Sequence, residues 1–189
     1  MVNKVLKVLF VYNGIFVLAG SLLGPLYALY VEKLEVGILP VSISWAAFLS
    51  ATTIVSYLLS KNGDGIKHKR FLLAAGYLIR ALSWFSMGLI TQIEQLFILQ
   101  ILLGIGEGLG TPAFDAIFAE HLDKNKHIMD YSDWKIISNG VLVAGTLIGG
   151  YVVSRFGFQY VLFGMSTLAL ISFFGILLHP KVDYKSHSR

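Results

Sequence analysis

Two ionisable side chains, Arg80 and Glu107, stand in the middle of long apolar runs. A charge at the centre of a bilayer-spanning helix costs about 2.5–3.5 kcal/mol on insertion scales, so such groups mark a solute or proton site, or a buried ion pair. Arg80 falls about nine residues into its run and Glu107 about twelve into the next, which at about 1.5 Å per residue brings them to similar depth from opposite sides. Both chemistries therefore remain open for them: a polar cavity that binds substrate or couples a proton, and a structural pair. Asp115, farther along the run of Glu107, is a third candidate, or else a carboxylate facing water or a loop lysine. Asn13 in the first run, Trp84 in the run of Arg80 and Asn139 in the fifth are neutral groups that would line such a cavity or serve as interhelical bonds and interface anchors.

Backbone features point to the same runs. Pro112 supplies no donor and frees the carbonyl of Gly108, beside Glu107; Pro25, after Gly24, does the same for Ser21. Helix breaks at membrane depth border cavities or bending points, or are passive kinks. Gly145 and Gly149 have the small-xxx-small spacing that lets helices approach closely. The glycines from Gly104 to Gly110 resemble a dinucleotide loop in spacing only, since they sit inside an apolar run with no preceding strand.

No enzyme constellation emerges. With no cysteine in the chain, thiolate chemistry and disulfides are excluded. His68, His121, His127, His179 and His187 lie in loops or at the ends of runs and lack metal-ligand spacing, and no serine elbow occurs. No catalytic residue, metal site or cofactor is assigned. The net charge of +4 does not indicate nucleic acid, because the basic residues lie in short loops and form no patch.

These residues must be positioned by membrane helices. The composition, 56% hydrophobic and 14% charged, is too apolar for a soluble domain, where about a quarter of residues are charged. A bilayer core needs roughly 20 apolar residues, and six runs meet that length: 8–31, 39–60, 71–90, 95–119, 136–154 and 157–178. The first run is too long for a cleaved signal core and is read as a retained span. Lys4, Lys7, Lys61, Lys67, Lys69, Arg70, Lys124, Lys126, Lys135, Lys181, Lys185 and Arg189 fall on one side, against Lys33 and Arg155 on the other. The basic side is cytoplasmic by the positive-inside rule, which places both termini inside, in the cytoplasmic (inner) membrane.

Residues 1–189 form one six-helix domain without a linker. The polar segment 120–135 reads as a cytoplasmic loop with a short surface helix, and Asp133 as a carboxylate near the N-terminus of span five. The pattern of Gly20 to Pro25 recurs at Gly106 to Pro112, and Gly76, Ala81, Leu82, Phe85 and Leu89 recur at Gly164, Ala169, Leu170, Phe173 and Leu177. Three spans separate the copies, so the expected architecture is all-α, with six transmembrane helices as a 3+3 inverted repeat.

Span four, from Gln100 through Gly104, Gly106, Glu107 and Gly108 to Thr111-Pro112, resembles the fourth helix of the major facilitator superfamily. Span five, Gly140 to Gly150 followed by Arg155-Phe-Gly157, is similar to that family's fifth helix and the turn into its sixth. The resemblance covers nearly the whole chain and implies an N-terminal-type half-bundle. It also implies a cytoplasmic gating loop at Asp64, Lys69 and Arg70, although their spacing departs from the family pattern. Gln100 stands where the family often has an arginine, so proton coupling of that kind is not carried over. The function implied is secondary transport of a small solute by alternating access, in contact with membrane lipid. Because the family normally joins two six-helix halves, the expectation is a homodimer or half of a split transporter. The rival readings are a non-transporting scaffold or partner subunit, and a truncated relic.

Overall fold

The computed structural model of the chain describes residues 4–62, 66, 68–122 and 127–179. Helix α1 spans Lys4–Leu23, a 3-10 turn Gly24–Leu26, α2 Tyr27–Leu34, α3 Ile38–Asn62, α4 Lys69–Met87, α5 Ile93–Glu120, α6 His127–Phe156 and α7 Phe158–Leu177. No strand occurs among the described residues. With α1, the turn and α2 counted as one span, the six expected runs correspond to these helices.

Five segments are long and apolar enough to cross a membrane: Val5–Leu34, Ile38–Lys61, Ile93–Glu120, His127–Phe156 and Phe158–Leu177. Helix α4 is the exception in composition, since its 19 residues include Lys69, Arg70 and Arg80. It buries Leu73, Ala74, Tyr77, Ala81, Trp84 and Met87, and packs between α5 and α7, so its mid-helix charge is shielded from lipid by neighbours.

The helices form an open arc. Helix α3 packs on α5, α5 on α4, α4 on α7, α7 on α1 and α1 on α6. That order reads the same when the α1 span is exchanged with α5, α3 with α6 and α4 with α7, which is what an inverted repeat requires. The ends of the arc, α3 and α6, are the least buried membrane-length segments. Lys69 bridges to Glu120 and the rings of Tyr12 and His179 meet at one end of the bundle; at the other, Lys33 lies over Phe158 and Tyr30 donates to the Met87 carbonyl.

Close approach depends on glycine. A side chain on Gly149 would bring a Cβ within 1.9 Å of the Leu22 carbonyl oxygen, and on Gly104 within 2.3 Å of the Phe48 carbonyl oxygen. These contacts seat α6 on α1 and α5 on α3 at backbone distance, the packing mode favoured where lipid offers no hydrophobic driving force. Gly157, at φ 89, turns the chain directly from α6 into α7.

Two local expectations are corrected. Helix α6 begins at His127, nine residues before the apolar run, so Asp130 rather than Asp133 occupies its first turn. Its first two turns, with Trp134 stacked on Phe10 at 5.2 Å, extend the helix beyond what apolar length alone marks. The prolines also differ in effect. At Gly24-Pro25 the helix gives way to a 3-10 turn, whereas α5 runs unbroken through Pro112. In α5 the packing of both flanking turns holds the helix together; Ala113 and Phe114 beside the proline are buried.

Candidate functional site

The positions in α5 that carry chemistry share one face. Glu107, Thr111 and Asp115 recur every four residues, so their side chains stack along the helix. Thr111 donates to Glu107 Oε1 at 2.5 Å, fixing that carboxylate, while its other oxygen accepts from Arg80 Nη1 on α4. Arg80 and Glu107 therefore form a salt bridge about halfway along the bundle, with side chains 17% and 26% exposed. The guanidinium is further held by aromatic faces, its Cζ 4.4 Å from the Phe16 centroid and 5.2 Å from that of Trp84. Phe16 stacks on Tyr77 at 4.2 Å, and the Tyr77 hydroxyl donates to Asn13 Oδ1 at 2.5 Å.

These groups border a cavity of about 490 Å³ between α1, α4, α5 and α6. It runs from Gly20, Gly24, Arg80 and Glu107 at mid-depth to Leu73, Asp115 and Trp134 toward the end where Lys69 meets Glu120. A second cavity, about 160 Å³, lies on the other side of Arg80, lined by Tyr27, Trp45, Phe48, Trp84, Gln100 and Leu103 among others. Arg80, Gly20 and Gly24 border both, which makes the Arg80 layer a partition between them. In the smaller cavity Gln100 Nε2 donates to the Tyr27 hydroxyl, itself 2.6 Å from Ser44 Oγ.

Of the residues singled out in the sequence, Arg80, Glu107, Asp115, Asn13 and Gly24 meet at the larger cavity. Trp84, 4% exposed, lines the smaller one instead. Asn139 does not join them. It lies on the exposed side of α6, and Ser138, one residue earlier, lines the cavity, because successive helical residues point about 100° apart. Pro112 faces a separate groove with Ser56, Leu59 and Lys69. Gly108 and Gly145 pack against α3 and against Ser21 of α1, and Gly149 against Leu22. Lys69 is engaged with Glu120 rather than with Asp115, and Arg70 lies over the Phe71 ring, 4.7 Å from its centroid. Asp64 lies outside the described residues.

Thr111, Ser138, Phe16, Tyr77 and Trp134 are cavity residues that sequence reasoning passed over. Thr111 was findable from its spacing between Glu107 and Asp115. The aromatic residues carried no such signal, since rings are common on every face of an apolar helix.

The family model described as Major Facilitator Superfamily matches residues 9–189. Among curated proteins, the "Uncharacterized MFS-type transporter YuxJ" of Bacillus subtilis (strain 168) is 29% identical over 166 residues, 85% of this chain and 42% of that protein. The chain thus spans less than half of that relative's length. The "Uncharacterized MFS-type transporter YitZ" of the same organism is 24% identical over 157 residues, covering 82% of this chain and 93% of that protein. An arc of six helical spans built on an inverted repeat, a charged pair at mid-depth and a family match over nearly every residue lead to one assignment: the chain is an integral membrane protein of the Major Facilitator Superfamily.

Proposed function

We propose that this chain carries a small solute across a membrane by alternating access, working with a second six-helix half, a further copy of itself or a separate chain. The observation that supports this most is the pair of cavities on either side of the Arg80–Glu107 layer. A solute bound at that layer would be reached from one side or the other as the bundles rock, and the membrane potential or a gradient would supply the energy. Helices α3 and α6, at the ends of the arc, would face the second half and close the path. Transporter-family membership sets enzyme chemistry aside.

The basic end would lie in the cytoplasm, with both termini there. That assigns the larger cavity to the cytoplasmic side and the smaller to the opposite one.

The chain has no native cysteine, so single thiols can be placed without other changes. In intact cells an impermeant thiol reagent should label Val36→Cys and leave His68→Cys untouched, fixing the orientation. In sealed vesicles treated with a membrane-permeant thiol reagent, Leu142→Cys in the larger cavity and Trp45→Cys in the smaller should change reactivity in opposite directions when a solute or pH gradient is imposed. Labelling rates that stay fixed at both positions under every gradient would overturn alternating access.

A further inference from the structure

The larger cavity carries an uneven charge. Its lining contains Arg80, Glu107 and Asp115 as charged side chains, one positive and two negative. Arg80 and Glu107 are joined to each other, so the excess negative charge resides on Asp115, for which no hydrogen bond or salt bridge is found among the described residues. The nearby Lys69 is bound to Glu120. An anion entering here meets net repulsion, with the one guanidinium already neutralised.

The walls narrow the class further. Phe114 and Trp134 lie 5.2 Å apart by centroids and both line the cavity, as does Phe16. A hard metal ion wants six or more oxygen ligands, and on the face of α5 Asp115 is joined only by Thr111 and by a Glu107 carboxylate already engaged with Arg80 and Thr111. A sugar wants many convergent polar partners, yet the Tyr77 hydroxyl is bound to Asn13 and Ser21 Oγ to the Leu18 carbonyl. A carboxylate that shares its cavity with aromatic side chains suits a diffuse positive charge on a large apolar body, through Coulomb attraction and cation–π contact.

We propose that the larger cavity binds a monovalent organic cation with an aromatic or apolar body, its charged centre at Asp115 and its body against Phe114 and Trp134. This names the solute class for the transport reading and rests on it. The volume of about 490 Å³ is within the range of small-molecule sites.

The test is equilibrium binding of tetraphenylphosphonium to the purified chain in mild detergent, with tetraphenylborate as the probe of the same shape and opposite charge. The two ions precipitate each other and are therefore measured in separate samples; the expected result is saturable binding of the phosphonium and no saturable binding of the borate. Asp115→Asn should weaken the phosphonium by at least about tenfold, the equivalent of 1.4 kcal/mol. Trp134→Ala should weaken it about fivefold, and Trp134→Phe should recover most of the loss. Absence of saturable phosphonium binding, equal binding of the borate, or an Asp115→Asn protein with unchanged affinity would each overturn the proposal. The two readings separate cleanly. Opposed gradient-dependent labelling of Leu142→Cys and Trp45→Cys without phosphonium binding would sink the cation class alone; phosphonium binding with fixed labelling would uphold the site and sink transport.

Discussion

Arg80 on α4 donates to Glu107 on α5, 27 residues away in sequence, with its guanidinium set 4.4 Å from the centroid of the Phe16 ring on α1. One side chain thereby ties together three helices that the chain visits in different passes. It also stands where the two cavities meet, so the pair is placed both to hold the bundle and to face a solute.

That double placement gives the first prediction. Glu107→Gln leaves the guanidinium without its counter-charge in a mostly buried site and should destabilise the bundle by roughly 2–3 kcal/mol, below the 3–5 kcal/mol typical of a fully buried pair. Arg80→Leu combined with Glu107→Leu should restore much of that stability, as a double-mutant cycle in detergent melting would measure. Both variants should lose transport. A stable and active Glu107→Gln protein would remove the pair from both roles and leave Asp115 as the leading carboxylate.

The second prediction concerns the seam between α1 and α6. A Cβ on Gly149 would stand 1.9 Å from the Leu22 carbonyl oxygen, a backbone atom that cannot rotate away, so Gly149→Ala must push the helices apart. The expected loss is about 1–3 kcal/mol. Gly140, on the same helix, has open space where a methyl would stand, and Gly140→Ala should melt at or somewhat above the parent protein, since alanine favours the helix over glycine. Equal melting temperatures for the two alanine variants would contradict the seam.

Assembly is the third. If α3 and α6 face a second half, exposed α6 positions such as Val143 and Leu147 lie near a partner. Native mass measurement in mild detergent should find twice the 20.9 kDa chain, or the chain with another half-transporter. Val143→Cys should crosslink within that assembly. A strictly monomeric protein that still transports would end the two-half reading.

The sequence by itself determined the properties that depend on one dimension. Apolar length marked the six spans, the uneven placement of lysine and arginine supplied the predicted orientation, and the cost of charge in lipid singled out Arg80 and Glu107 before any contact was known. The recurrence of Gly20 to Pro25 at Gly106 to Pro112 already suggested the inverted repeat. Rotation of each helix about its own axis belonged to the tertiary structure. Helix α3 and the apolar length of α6 show no polar face that states which way they turn, whereas α5 shows one only at Glu107, Thr111 and Asp115. Packing at Gly104, Gly145 and Gly149 sets that angle, and with it the choice of Ser138 over Asn139 at the cavity. The same packing decides that Pro112 stays helical while Pro25 does not, and that Trp84 and Asp115 serve different cavities. Distance along the chain is encoded residue by residue; the angle between neighbours is fixed only when helix surfaces meet.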